Sequence, residues 1–287
     1  MRKYINFIKI SLVVLVLGLS GCYEQEVAPI VEPGGLGYTT ATFTTDFTGN
    51  EVTEGDTITY TITLSKPIEY DLKFTLQFDG DLSDIEYPED GVTIPAYSTE
   101  AKFQIVFVYD NIPEEDEAIS YEIGIYNVNY QYLLHNTTYP NPSLTIKNKN
   151  DSNGLTVAVE WPDHGDDWDC YMIDENGAGI YGGKYDWVGF AGATGADPEI
   201  MILKDQAWVT VTDGVYYVDV DPYAVGNDKT DFKVSIGHPD QTVEFINFTF
   251  DKSKAGDYPT TWGYSAVKIV KAGMKFTCTL SPEFASE

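Results

Sequence analysis

Apolar and polar residues alternate along several stretches of the chain after residue 38. In residues 57–64 every second residue is apolar, and each residue between them is Thr. The same period of two recurs in 103–107 and in 121–125. Such strands bury one face on a core and expose the other, which is typical of antiparallel sheets. Because no stretch after residue 38 keeps helical spacing over three turns, the pattern predicts an all-β protein.

The chain is expected to divide into two domains. Gly, Pro, Asn and Asp interrupt the strand patterns about every ten residues, which predicts β-sandwiches. Residues 147–154 read Lys-Asn-Lys-Asn-Asp-Ser-Asn-Gly. This polar, turn-forming run cannot bury itself and marks a boundary. We therefore predict two antiparallel β-sandwiches in tandem, at residues 39–150 and 154–282.

The N-terminal segment has the features of a targeting sequence. Residues 1–9 are basic, and the following apolar run of about ten residues is too short for a transmembrane helix, which needs about 20. We interpret residues 1–21 as a secretory signal peptide. Residues 19–22 read Leu-Ser-Gly-Cys and resemble the lipobox of bacterial lipoproteins. The resemblance implies that Cys22 is acylated and inserts in outer-membrane lipid; the alternative is an ordinary signal peptide with a chance Cys.

Residues 22–38 are expected to form a flexible tether, because Pro and Gly are frequent there. Glu24 and Glu26 follow Cys22 closely, and this acidic start resembles the surface-export signals of Bacteroidetes lipoproteins. That resemblance implies a lipid-anchored protein on the outer membrane whose folded part faces the exterior.

The net charge of the chain limits the classes of molecule that it can bind. The chain has 17 Lys and Arg against 45 Asp and Glu, for a formal net charge of −28. Such a chain repels phosphates, which excludes nucleic acid as a partner. A hydrophobic content of 43% argues against a wholly disordered acidic chain. Three Cys and three His provide few ligands for a structural zinc site.

The first domain carries an ordered set of acidic motifs. Glu54-Gly55 precedes the Thr-rich strand, an Asp-rich turn follows the strand near 101–108, and a Glu-rich loop precedes the strand near 119–126. This order resembles the Calx-β domain over residues 39–150. The resemblance implies an immunoglobulin-like sandwich whose acidic loops gather at one end and bind calcium. The implied ligands are Glu54, Asp110, Glu114 and Glu117.

Two departures from the Calx-β pattern weaken the implied site. Glu86-Tyr87 stands where the family has Asp-Tyr, and residues 146–150 replace the Asp pair that closes the last strand. Calcium binds six to eight oxygen ligands, so lost carboxylates matter. The alternative is that the acidic loops only solvate the end of the sandwich.

The second domain shows a different order of motifs. A strand ending in Trp161 is followed by an Asp-x-Asp strand at 167–173, a Pro-Glu strand near 198–202 and a Gly-x-Tyr strand at 214–220. This order is similar to the pre-peptidase C-terminal domain of secreted bacterial proteins. The similarity implies a jelly-roll-like sandwich that serves as a non-catalytic accessory module.

Two further sites are possible in this domain. The pleat places Asp167 and Asp169 on one face, where they could share an oxygen site for a metal with Asp163 or Asp197; the alternative is a solvated strand face. Cys170 and Cys278 could form a disulfide in an oxidising compartment or remain two buried thiols.

Loop aromatics suggest a binding surface for sugars. Trp187 and Trp262, with the neighbouring Tyr185 and Tyr264, stand among Gly and Asp. Exposed together, such rings would mark a binding face; the alternative is that they cover the edge of the sandwich.

These features favour a non-catalytic cell-surface lipoprotein. The three His residues are scattered, and no nucleophile stands beside an oriented base in a recognisable motif. We expect glycan binding for a polysaccharide-uptake system. The alternative is a calcium-stiffened adhesion or scaffolding module that binds a surface protein, and a glycoside-active enzyme is the third hypothesis.

Overall fold

The structure is a computed structural model, and the predicted signal peptide, tether and Cys22 lie outside the residues that it describes. Within the described part, no helix has the length and apolar character needed to cross a membrane. The described residues are 39–125, 134, 137–163, 165–176, 198–205, 210–260 and 263–285.

The first half forms two facing sheets. Their strand orders are β1-β3-β7-β5 and β2-β9-β8-β4-β6. The strands are β1 (Ala41–Thr45), β2 (Glu51–Thr53), β3 (Thr57–Leu64), β4 (Leu72–Asp79), β5 (Ile85–Glu86), β6 (Val92–Ile94), β7 (Glu100–Phe107), β8 (Glu117–Gly124) and β9 (Ser143–Lys147).

The Thr-rich strand β3 lies as its alternation predicts. Its apolar residues are buried, and its Thr residues are exposed or partly exposed. Ile58 pairs with Ile105 of β7, and the ring of Tyr60 stacks on Phe103 with centroids 5.2 Å apart. The buried Tyr60 hydroxyl lies 2.9 Å from that of Tyr121 on the opposite sheet, so the two hydroxyls satisfy each other inside the core.

One strand pair departs from the predicted antiparallel arrangement. Strands β2 and β9 pair in parallel. The chain leaves the first sheet after β1 and continues as β2 at the edge of the second sheet. Because it crosses between the sheets without reversing direction, it runs alongside β9 rather than against it.

The second half also forms two sheets, and all their strand pairs are antiparallel. The orders are β12-β10-β14-β15 and β11-β13-β16-β17. The jelly-roll assignment of this domain stays a prediction. The strands are β10 (Leu155–Glu160), β11 (Asp167–Asp174), β12 (Glu199–Leu203), β13 (Gly214–Ala224), β14 (Lys229–Gly237), β15 (Val243–Asp251), β16 (Tyr264–Ala272) and β17 (Lys275–Leu280).

Each half has its own apolar core, which confirms the all-β sandwich class. One core cluster draws on residues 41–146 and the other on residues 155–284. The second is rich in aromatic rings: Trp168 meets Phe232 edge-on at 4.9 Å. Phe284, two residues beyond the predicted end of the domain, stacks on Tyr258 at 4.1 Å.

The segment between the sandwiches is held more firmly than its composition indicates. Asn150 is only 4% exposed. Its backbone N–H donates to Gln241 Oε1 at 3.1 Å, its carbonyl accepts from Gln241 Nε2 at 3.2 Å, and its side-chain amide donates to the Thr242 carbonyl at 3.2 Å. Asp151 pairs with Lys204 Nζ at 2.6 Å. The expectation of an unburied run is therefore wrong at Asn150, because the β14–β15 hairpin supplies its partners.

Two substitutions in neighbouring positions of β3 test the core assignment. Ile62→Ala should cost about 2–5 kcal/mol of unfolding free energy, because it leaves a cavity in a fully buried site. Thr63→Ala, on the solvent face, should change that free energy by no more than about 0.5 kcal/mol. Denaturant unfolding of the first domain measures both, and equal losses would contradict the assigned faces.

Candidate metal centre

Three carboxyl side chains converge at one end of the first sandwich. Ligand oxygens of Glu54, Asp84 and Glu114 all lie within 4.8 Å of one another. Glu54 is 1% exposed and Asp84 is 5% exposed. Acidic residues are rarely buried without a partner, so this convergence requires a charge-compensating group or bound protons.

Backbone hydrogen bonds from both sheets hold Glu54 in place. Its N–H donates to the Lys147 carbonyl at 3.1 Å, and the Gly55 N–H donates to the Phe107 carbonyl at 2.7 Å. Gly55 has a φ of +88°, a conformation that side-chain-bearing residues rarely adopt. The turn after β2 therefore buries the Glu54 carboxyl, whose Oε2 accepts from the Lys149 N–H at 3.3 Å.

Asp84 and Asp110 are positioned by the loops around β5 and β7. The Asp84 carbonyl accepts from the Val108 N–H at 2.7 Å, which joins the residue before β5 to the end of β7. Asp110 Oδ1 accepts from the Ile112 N–H at 2.7 Å, and Asn111 between them has a φ of 69°. This Asx turn uses one Asp110 oxygen and leaves the carboxylate beside the cluster.

Glu114 and Glu117 complete the acidic surroundings. The Glu114 backbone N–H donates to Asn148 Oδ1 at 3.2 Å, and its carboxyl is hydrogen-bonded to Asp84. Glu117 is the first residue of β8. All five acids therefore lie on loops and strand ends at the same end of the sandwich.

Burial and mutual repulsion favour protonated carboxyls here. Burial raises the pKa of Glu54 from 4.5 to about 8. The hydrogen bond from the Lys149 N–H lowers this pKa in part, and the charges of Asp110 and Asp84 raise it further. Burial and the hydrogen bond and charge of Asp84 raise the pKa of Glu114 to about 9. The pKa values of Asp110 and Glu117 are also raised, mainly by burial. A bound cation would reverse this preference by compensating the negative charge.

The two lysines near the end of β9 are engaged elsewhere. Lys147 Nζ lies 2.6 Å from Asp116 and 3.8 Å from Glu51. Lys149 Nζ lies over the Tyr109 ring, 5.2 Å from its centroid. Neither contact neutralises the three converging carboxyls.

The donor set suits a hard divalent cation. Calcium takes six to eight oxygen ligands from carboxylates, carbonyls and water. Glu54, Asp84 and Glu114 could supply the first of these oxygens, and Asp110 and Glu117 lie near enough to interact electrostatically with the group. The residues present therefore fit calcium.

The sequence indicated four of these five acids and missed Asp84. The comparison with the Calx-β pattern placed Glu86 in the middle loop, but Glu86 is exposed. The carboxyl that reaches the cluster belongs to Asp84, two residues before Glu86. Since β5 begins at Ile85, the alternation of the strand does not extend to Asp84, and the Asp-Leu-Ser-Asp turn was the only available signal.

The predicted acidic site of the second domain is not assembled as expected. Asp169 is buried, its Oδ2 accepts from the Tyr171 hydroxyl at 3.0 Å, and it stands opposite Asp221 across β11 and β13. Asp163, one of the two proposed partners, instead accepts from Asn227 Nδ2 at 2.5 Å, and the other, Asp197, lies outside the described residues. Asp167 and Asp169 are in neither of the two three-donor groups found in the described residues.

Of the two alternatives left open for Cys170 and Cys278, the structure has the two thiols, because neither residue is in a disulfide. They lie on β11 and β17, the two outer strands of one four-stranded sheet. Strands are spaced about 4.8 Å apart, so three steps separate the cysteines by about 14 Å, beyond the reach of a disulfide.

Of the four residues predicted to form a binding surface for sugars, only Tyr264 is among the described residues. Trp187, Trp262 and Tyr185 lie outside the described residues. The Tyr264 ring packs against Phe250 with centroids 4.8 Å apart and against Tyr258 at 6.0 Å. These contacts place Tyr264 in the packing of the second sandwich.

Comparison with known proteins adds little. No protein-family model and no curated protein matches this sequence. The CBD12 structure from CALX1.2 aligns at 14% identity and a TM-score of 0.30, covering 70% of this chain and 82% of that chain. The calcium binding domain CBD12 of CALX1.1 gives 12% and 0.29, with 75% and 84% covered. The E. coli chaperone DraB gives 10% and 0.25, with 64% and 93% covered. Such scores carry no functional argument.

The raised pKa values predict that the first domain loses stability as pH rises. An acid whose folded-state pKa exceeds its unfolded value binds more protons when folded, so its stabilising contribution is lost between the two values. For Glu54 and Glu114 that window runs from about pH 5 to about pH 9. Unfolding measured in a chelator should show a slope of up to about 1.4 kcal/mol per pH unit for each extra proton.

Glu54→Gln should flatten this slope, because the amide does not titrate. Glu86→Gln removes an exposed acid from the same domain and should leave the slope unchanged. A slope of the same size in all three proteins would contradict the assignment of raised pKa values to the buried cluster.

Proposed function

We propose that this chain is a non-catalytic cell-surface adhesion or scaffolding module whose two sandwiches are held in a fixed relation by calcium. Acylated Cys22 would anchor it in outer-membrane lipid, and residues 22–38 would act as the tether. The observation that carries the proposal is the convergence of Glu54, Asp84 and Glu114 at the end of the first sandwich that faces the second.

A short series of hydrogen bonds leads from the acidic cluster to the second sandwich. The Glu114 N–H donates to Asn148 Oδ1 at 3.2 Å, and Asn148 Nδ2 donates to Asn150 Oδ1 at 2.9 Å. Asn150 in turn binds Gln241 and Thr242 in the β14–β15 hairpin. The loop that presents Glu114 is therefore two side chains away from the other domain.

The same loop also contacts the second sandwich directly. Pro113, next to Glu114, is buried, and a Cβ at Gly237 would lie 3.1 Å from Pro113 Cβ and would overlap the Asn150 side chain. Only a glycine at the end of β14 allows this approach. An ion bound to Glu114 would restrain a loop that packs at the junction.

Charge makes the restraint dependent on calcium. With several carboxyls ionised and no cation, repulsion would push the loops that carry Asp84 and Glu114 apart. Calcium would replace this repulsion with attraction, because one ion would bind oxygens from each loop. The resulting stiff junction suits a protein that presents a binding surface at a fixed distance from a membrane. Glycan binding stays a prediction, since three of its four residues lie outside the described part.

Calcium should raise the melting temperature of the first domain by several degrees. A ligand present at 100 times its Kd stabilises the folded state by about 2.7 kcal/mol. Glu54→Gln and Asp84→Asn should each abolish most of this rise, because each removes a charged ligand. Glu86→Gln is the matched control and should retain the full rise. Differential scanning calorimetry with and without calcium, at one fixed ionic strength, measures all four proteins.

Three results would contradict the calcium proposal. One is an unchanged melting temperature at millimolar calcium. The second is a rise that survives in both cluster variants, which would place the ion elsewhere. An equal rise with magnesium would also count against a site of calcium size, because magnesium demands a tighter octahedral arrangement.

The junction can be tested separately from the metal. Asn150→Ala removes the amide that binds the Thr242 carbonyl and should uncouple the domains, so that calcium stabilises the first domain only. Asn153→Ala changes an exposed residue of the same linker and should preserve the response of both. Calorimetric transitions assigned to each domain provide the measurement, and identical behaviour of the two variants would argue against coupling through Asn150.

A further inference from the structure

A second group of metal-binding side chains lies in the second sandwich. Donor atoms of His238, Glu244 and Cys278 all lie within 4.8 Å of one another. His238 Nε2 is 3.3 Å from Glu244 Oε1. The group combines nitrogen, oxygen and sulfur donors, unlike the all-oxygen cluster of the first sandwich.

The three residues come from three different strands or strand ends. His238 directly follows β14, Glu244 is the second residue of β15, and Cys278 is in the middle of β17. Strands β15 and β17 are the edge strands of the two opposing sheets. The group therefore lies where one open edge of the sandwich brings the two sheets together.

Glu244 occupies a position that an apolar residue would ordinarily fill. It shares a face of β15 with Ile246, Phe248 and Phe250, which pack on the core. Its Oε1 is buried and lies 3.3 Å from His238 Nε2, and its carboxyl is hydrogen-bonded to the Cys278 thiol. Both contacts point the donor atoms at one another, so a metal ion that replaces the thiol proton would contact all three residues.

The surroundings also allow an ion to enter. The Glu244 side chain is 42% exposed although its Oε1 is buried, and the His238 side chain is 14% exposed. The group thus combines a buried donor side with an opening to solvent, which a bound ion needs for entry.

We propose that His238, Glu244 and Cys278 bind a transition-metal ion of the zinc class. Zinc accepts thiolate, imidazole and carboxylate ligands, and three protein ligands leave a fourth tetrahedral position for water. On binding, the Cys278 thiol would release its proton to solvent and coordinate as thiolate, and neutral His238 would coordinate through Nε2. Calcium would not select this set, because it prefers oxygen ligands alone.

The bound ion would link the two edge strands and the base of the junction hairpin. The His238 N–H donates to the Thr242 carbonyl at 2.8 Å, and the Gln241 N–H donates to the His238 carbonyl at 2.9 Å. Gln241 and Thr242 are the residues that hold Asn150. A metal on His238 would therefore stabilise the surface against which the linker packs.

Cobalt substitution tests the site with a signal specific to sulfur. The full chain with Cys22→Ala keeps Cys170 and Cys278 as its only thiols. One equivalent of Co²⁺ should produce a thiolate-to-cobalt charge-transfer band, and one equivalent of Zn²⁺ should remove it. Cys278→Ser should abolish the band, and Cys170→Ala should retain it. His238→Ala and Glu244→Gln should weaken zinc affinity at least about tenfold, since the loss of an outer-shell partner alone costs about that much.

The outcomes separate this site from the acidic cluster and from adventitious binding. Asp84→Asn should leave the cobalt band unchanged, since that residue belongs to the first sandwich. Absence of the band in the parent protein, or an equal zinc affinity in the parent and His238→Ala, would overturn the proposal. If Cys278→Ser fails to fold, as judged by its melting curve, the affinities of His238→Ala and Glu244→Gln decide the result.

Discussion

The burial of several carboxyl groups in one small volume is the constraint on which the structure of this chain depends. Glu54, Asp84 and Glu114 crowd together within a protein whose net charge is already −28. Either protons or a cation must compensate them. The fold places this unfavourable group where loops of the first sandwich meet the second, so the means of compensation affects how firmly the two halves are joined.

The junction links the charge state of the acidic cluster to how firmly the two sandwiches are joined. Each sandwich has a complete core of its own, and the cores could be stable independently. The hydrogen bonds between them run through Asn148, Asn150 and the hairpin residues Gln241 and Thr242, beside the packing of Pro113 on Gly237. Hydrogen bonds of this kind contribute about 1 kcal/mol each, which is small enough for a bound ion to change the balance between a fixed and a loose arrangement.

Strand alternation was sufficient to predict the sandwiches because each strand buries one face. Ile58, Ile62 and Leu64 of β3 follow the period of two that the sequence shows. The acids were harder to place. Glu54 and Glu114 stand in motifs that the sequence shows, whereas Asp84 reaches the cluster from a loop that has no periodicity. His238, Glu244 and Cys278 converge only after two sheets have packed, so their separation along the sequence carries no signal. Three His and three Cys had indicated few ligands for zinc, yet topology brings one of each beside the Glu244 carboxylate.

A crystal structure of the chain grown with calcium tests the central claim most directly. The account predicts an ion, identified by anomalous scattering, coordinated by oxygens of Glu54, Asp84 and Glu114 at about 2.4 Å. The loop from Asp110 to Glu117 should be well ordered around it. Protonated carboxyls hydrogen-bonded to one another at saturating calcium, with no ion between them, would contradict the account.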